Sequence, residues 1–222
     1  SGAAVCAPAR SVLMTGLHTG HTRVRGNFGK GGVRGLAGNE GRVPLKKEDL
    51  TITEVLQEKG YRTGMIGKWG LGEPNTSGEP NQKGFDYFYG FYNQRRAHSY
   101  YPEYIWENTK KVKLYGNENK QNHQYTHNLF ADKAISFIDR NQQKPFFLYL
   151  PVCIPHNRYE LPDNGIYTHK ISWTDHQKKY AAMVTRLDET VGRIVKRLEA
   201  LGIANNTYIF FTSDNGPVSY TH

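Results

Sequence analysis

Four places in the 222-residue chain hold side chains of types and spacing that could do chemistry. The first is Cys6-Ala7-Pro8-Ala9-Arg10, followed at once by Ser11-Val12-Leu13-Met14-Thr15-Gly16. Pro8 suits the first position of a short helix, because its missing N–H would be unpaired there and its φ is already set; Gly16 stops that helix. Cys6 then stands at the donor-rich, positive end, where a thiolate or a bound oxyanion is stabilised. Arg10, one turn on, adds a planar guanidinium. A helix start with a buried cysteine reads the same from these residues alone. The second place is Gly67-Lys68-Trp69-Gly70-Leu71-Gly72, a glycine-rich turn able to set an ammonium on a charged oxygen. The third is Pro155-His156, where an imidazole of near-neutral pKa can protonate a leaving oxygen, or can be an ordinary loop histidine. The fourth is Thr212-Ser213-Asp214-Asn215-Gly216. Its adjacent carboxylate and amide oxygens suit a hard divalent cation, Ca²⁺ or Mg²⁺, better than zinc, although Asp-Asn-Gly is also a common turn.

These groups need elements to position them, and the hydrophobic pattern supplies an alternation of helix and strand. Residues 49–59 read as a helix with Thr51 or Thr53 at its start and Gly60 as the stop, followed by a strand over 61–67. Residues 126–141 read as a helix behind a Thr126 cap, and 145–152 as a strand. The apolar stripe Met183, Val184, Leu187, Val191, Ile194, Val195, Leu198, Leu201 predicts a helix over 175–200 ended by Gly202, with a buried strand Thr207–Phe211 after it. Helices of this length between unalternating strands imply an α/β fold whose sheet is mostly parallel and sandwiched between helices. Lys68, His156 and Asp214-Asn215 then fall at strand ends, the usual place for a site in an open sheet. The Gly- and Tyr-rich stretch 73–125 reads as a long ordered insertion over the cleft.

Composition narrows the classes. Lys and Arg number 29 against 20 Asp and Glu, a net charge of +9, so the surface favours anionic partners. There is no zinc-finger spacing, aromatic RNA-binding signature or arginine-rich arm, which argues against nucleic acid. Two cysteines, Cys6 and Cys153, exclude a disulfide scaffold. Cys153 lies in an apolar run and reads as structural. No run reaches membrane-spanning length. The chain opens without Met and stops just after a site motif, so it is expected to be part of a longer protein.

Taken in order, the Cys6-x-Pro8-x-Arg10 run, Gly67-Lys68-Trp69-Gly70-Leu71-Gly72, Gly84-Phe85-Asp86, Pro155-His156, Leu187-Asp188 and Ser213-Asp214-Asn215-Gly216 resemble the sulfatase family across essentially the whole chain. The resemblance implies an alkaline-phosphatase-like fold and the N-terminal part of a formylglycine-dependent sulfatase. Cys6 would be converted to formylglycine by a maturase and, with Asp214 and Asn215, would bind a divalent cation, Ca²⁺ first and Mg²⁺ second. Lys68, Arg10 and His156 would act on the sulfate group, with Lys68, His156 and Gln94 touching a sulfated small molecule or glycan. Periplasmic, secreted or lysosome-like export is what the family favours. The chain departs from the pattern at Ala9, most often serine, and at Gly70, usually the histidine that takes a proton from the formylglycine hydroxyl; His98 is the candidate replacement, with a plain loop histidine as the alternative. A phosphonate monoester or phosphodiester hydrolase of the same superfamily, and a catalytically silent basic module that binds polyanions, remain the rival expectations.

Overall fold

The computed structural model describes residues 2–29 and 42–216. A five-stranded sheet carries the site. Its strands are β1 (Arg62–Lys68), β2 (Tyr87–Phe91), β3 (Tyr104–Glu107), β4 (Lys110–Lys113) and β5 (Phe146–Tyr149), in the spatial order β4-β3-β2-β1-β5. β1 runs parallel to both β2 and β5, whereas β2–β3 and β3–β4 are antiparallel, so the α/β class holds with a mixed sheet. The stretch 73–125 is therefore less of an insertion than its composition suggests. It supplies β2, β3 and β4, and β2 lies inside the sheet beside β1.

Helices cover both faces. Successive residues of a strand point to opposite sides. Met65 accordingly packs with Trp69, Phe85 and Phe88 on one face, and Ile66 with Phe130, Ala134 and Phe137 on the other. The first face is closed by α1 (Cys6–Thr15) and α2 (Ile52–Glu58). The second is closed by α3 (Thr126–Asn141), against which α4 (Asp175–Ala200) lies. Each buried phenylalanine ring on α3 contributes about 2 kcal/mol. Phe137 sits where a side chain at Gly64 would be, 2.5 Å from the position of its Cβ, which is why β1 carries glycine there.

Local signals explain the helix ends. Thr51 caps α2 in a capping box with Glu54, and Thr174 caps α4 with Gln177. Thr126, expected as a cap, is instead the first residue of α3, and its hydroxyl donates to the Tyr100 carbonyl at 3.1 Å. Gly84-Phe85-Asp86 is an anchor: Phe85 meets Trp69 edge-on at 5.7 Å, and the Asp86 carboxylate accepts the Thr63 N–H at 3.0 Å.

The expected buried strand Thr207–Phe211 does not form. The segment pairs with no strand among the described residues, and Tyr208 and Phe210 are 92 % and 89 % exposed. Apolar β-formers make a strand only where a neighbouring edge takes up their N–H and C=O groups, and β5 receives none of them here.

Candidate active site

Three parallel strands, β2, β1 and β5, all point their carboxyl ends to the same place. Lys68 is the last residue of β1, the loop Asn93–His98 follows β2, and His156 lies beyond β5. The junction is tight because Gly67 has φ +133° and a Cβ there would come within 2.3 Å of the Pro151 carbonyl oxygen. That oxygen accepts the Lys68 N–H at 2.9 Å, tying the end of β1 to the chain that carries His156. Tyr100 fixes the same chain from the other side, its hydroxyl donating to the carbonyls of Cys153 at 3.3 Å and His156 at 3.0 Å.

Cys6 opens α1, at the donor-rich end as expected, and Gly16 closes the helix with φ +68°. Pro8 is the third helical residue and not the first; the cost is nil, since the first four N–H groups of a helix have no internal partner. Val5 at the cap offers no side chain, and the Oδ1 of Asn27 accepts the Ala7 N–H at 3.0 Å instead. Nothing in the sequence marks Asn27 for this, because the contact depends on where a loop 20 residues away returns.

The side chains singled out from the sequence converge on Cys6. Lys68 is 3 % exposed and its Nζ donates to the Cys6 Sγ at 3.4 Å. Burial lowers the Lys68 pKa and the neighbouring Arg10 charge lowers it further, against the pull of Cys6. Burial alone would raise the Cys6 thiol. A hydrogen bond with His156 and the charges of Lys68 and Arg10 outweigh it, and the thiol comes down to about 7. At Cys153 burial outweighs the charges of Lys68 and Arg10, and the thiol goes the other way, to about 11. The lower thiol is the more nucleophilic of the two.

Arg10 is 4 % exposed. Its Nε and Nη2 both donate to Asp214 Oδ2, at 3.2 and 3.0 Å, and its Nη1 to the Lys68 carbonyl. It clamps the fourth motif to the second. Asp214 therefore reaches the site without the strand expected before it. Asn215 Oδ1 is buried beside Asp214 and has no partner among the described residues. An orphaned oxygen next to a carboxylate fits a hard cation, and these two residues would supply only part of the six to eight oxygen ligands that Ca²⁺ takes. No three His, Cys, Asp or Glu side chains gather into a metal cluster among the described residues.

His98 and His156 stack face to face with ring centroids 4.0 Å apart and planes 20° from parallel. The Nε2 of His98 and the Nδ1 of His156 are both buried and have no hydrogen-bond partner among the described residues. Burial, then the neighbouring His156, Lys68, Arg158 and Arg42 charges, push His98 down to about 3, so its ring is neutral. Gln94 is 2 % exposed and packs against Gly70, its side-chain atoms 2.4 to 2.8 Å from where a Cβ would stand. With φ at +83° as well, position 70 has no room for an imidazole, so the departure at Gly70 is matched by Gln94. Gln94 Nε2 reaches the Asn27 Oδ1 at 3.5 Å, and its Oε1 is buried without a partner among the described residues.

The chain is 34 % identical to an arylsulfatase of Hemicentrotus pulcherrimus over 97 % of its own length and 39 % of the relative's. It is 28 % identical to the N-acetylgalactosamine-6-sulfatase of Canis lupus familiaris over 96 % of its length and 41 % of the relative's. Among solved structures it matches Ps i-CgsB in complex with k-i-k-neocarrahexaose with a TM-score of 0.68 and 26 % identity, covering 89 % of this chain and 45 % of that one. The chain thus spans about two fifths of the length of these curated relatives. The family model named Sulfatase matches residues 1–222, and the chain belongs to the sulfatase family.

Proposed function

We propose that residues 1–222 are one catalytic domain of a sulfuric ester hydrolase acting on aryl or carbohydrate sulfates. The observation that carries the reading is the meeting of Cys6, Lys68, His156 and the Arg10–Asp214 pair, drawn from four distant parts of the chain, around one buried sulfur. Formylglycine at residue 6, made by a maturase, would supply a hydrated aldehyde oxygen to attack sulfur, and a divalent cation held by residue 6, Asp214 and Asn215, Ca²⁺ or Mg²⁺, would supply positive charge beside it.

The remaining roles belong to the chain's own side chains. Lys68 Nζ, already within hydrogen-bond reach of residue 6, binds a sulfate oxygen, where a buried ammonium acts most strongly. Arg10 is a positioning residue that holds Asp214 against the Lys68 turn. His156 donates a proton to the departing alcohol or phenol oxygen. His98 takes the proton from the attacking hydroxyl, the task that Gly70 leaves open. Burial first, and then the neighbouring charges, keep His98 unprotonated; an anionic ester bound at Lys68 offsets part of that charge, so the basicity of His98 rises with substrate bound. Gln94 Oε1 accepts a hydrogen bond from the substrate.

An assay of the full-length protein on matched aryl esters separates this reading from its rivals. The expected result is a kcat/KM for the sulfate about 10²-fold or more above that for the phosphodiester. The reverse order would assign the site to phosphodiester or phosphonate hydrolysis. Salt-sensitive binding of a sulfated polysaccharide with no sulfate release would mark a silent binding module.

A further inference from the structure

Beside the cluster at Cys6 lies a buried cation to which no carboxylate hydrogen-bonds among the described residues. Arg42 is 5 % exposed. Its Nη1 donates to the Asn27 carbonyl at 2.6 Å, and its guanidinium lies 4.5 Å above the Phe28 ring. Its Nε is buried with no partner among the described residues. Glu73, whose charge reaches Arg42, has its own carboxylate taken up by Asn93 Nδ2 at 2.6 Å. A buried guanidinium with unused donors is costly to keep, and its planar fork matches an oxyanion.

Its place in the fold says which oxyanion. Asn27, which holds Arg42 through its backbone, caps the Ala7 N–H through its side chain and meets Gln94 at the same oxygen. Arg42 is thus one residue removed from the start of the Cys6 helix. On its other side, Phe28 lines an open cavity of about 510 Å³ together with Arg23, Arg25, Pro44 and Lys46. Arg23 is neutralised by Asp49 at 2.5 Å and Glu48 at 3.1 Å. Among the described residues Arg25 donates to the carbonyls of Thr22 and Gly20, and neither it nor Lys46 has an acidic hydrogen-bond partner. Two cations without a carboxylate partner thus line the cavity that Phe28 shares.

We propose that Arg42 anchors a subsite for a second oxyanion of the substrate, a carboxylate or sulfate on the saccharide next to the ester that is cleaved. The saccharide continues over Phe28 toward Arg25 and Lys46. The position of the cleaved group rests on the hydrolase reading above. An aryl sulfate whose aryl group carries no further charge uses none of this subsite.

The test measures binding apart from turnover. Full-length Cys6→Ala protein is titrated with three disaccharides: one carrying two sulfates, one carrying a sulfate and a uronate, and one carrying a single sulfate. Arg42→Met should weaken binding of the first two by about 10- to 100-fold and change the third by less than about 3-fold. Arg42→Lys, which keeps the charge and loses the fork, should fall between wild type and Met for the doubly charged ligands; it carries the test alone if the Met variant unfolds. A loss confined to the disulfate or to the uronate identifies which oxyanion the subsite takes. Equal losses on all three ligands, or no loss on the doubly charged ones, would overturn the subsite. Because the Cys6→Ala protein performs no turnover, a failure of the wild type to release sulfate would count against the hydrolase reading and leave the binding difference to be judged by itself.

Discussion

Replacing Lys68 with Met should lower kcat/KM for a sulfate ester about 10³-fold and leave the protein at least as stable as the wild type. The activity loss follows from position. The ammonium lies 3.4 Å from the Cys6 sulfur in a nearly closed site, where a fixed donor at a developing oxyanion is worth about 10²- to 10³-fold, and a full charge reaches the upper end. The stability result follows from the same burial. Among the described residues no carboxylate lies within hydrogen-bond distance of the Lys68 ammonium, burial and the Arg10 charge oppose its protonation against the pull of Cys6, and the residue is 3 % exposed. An apolar side chain of similar length removes the cost of burying that charge. Thermal unfolding should therefore show an unchanged or slightly raised Tm. Activity retained, or activity lost in step with a falling Tm, would show that Lys68 is a structural residue.

The second large effect is expected at His98. His98→Ala should reduce kcat by about 10²- to 10⁴-fold, the ordinary contribution of a positioned general base. The pH profile distinguishes a base from a support. In the free protein burial and the surrounding charges hold His98 down to about 3, so kcat/KM should show no acid limb from it above about pH 4. In the substrate complex the added negative charge raises its pKa toward the ordinary histidine value of about 6.5. An acid limb should then appear in kcat, with activity falling as pH drops through the raised value, and should vanish in the variant. His98→Phe keeps a ring against His156 but has no nitrogen. If Phe restores activity, His98 serves only to hold His156, and the base must be sought elsewhere.

Much of the fold was legible because it is written in local patterns. The helix start at Thr51, the stop at Gly16 and the apolar stripe of α4 are contacts within one or two turns, and they name their elements directly. The run Thr207–Phe211 misled for the same reason. Its composition asks for a strand, but a strand exists only with a partner edge, and no local pattern supplies that. The stretch 73–125 differed in the opposite direction: its glycines and tyrosines read as an ordered insertion, yet it supplies β2 within the sheet, where Gly90 is required because a Cβ there would lie 1.9 Å from the Gly67 carbonyl oxygen.

The site divides along similar lines. Cys6, Lys68, His156 and Asp214 carry their chemistry in their own motifs, so residue type and order pointed to them. Asn27 and Arg42 carry theirs only through neighbours far away in sequence: a helix start 20 residues back and an aromatic ring whose exposure depends on a loop. His98 lay between. It is a histidine in a charged segment until the structure stacks it on His156 at 4.0 Å.

The central claim is that residue 6 is made into the nucleophile of a sulfate-ester hydrolase, and the mass of one peptide tests it most directly. Full-length protein co-expressed with a formylglycine-generating maturase is digested, and the peptide containing residue 6 is weighed. The expected peptide carries an aldehyde in place of the thiol, in a preparation that releases sulfate. A peptide that keeps the plain Cys6 thiol throughout, above all in a preparation that still releases sulfate, would contradict the claim.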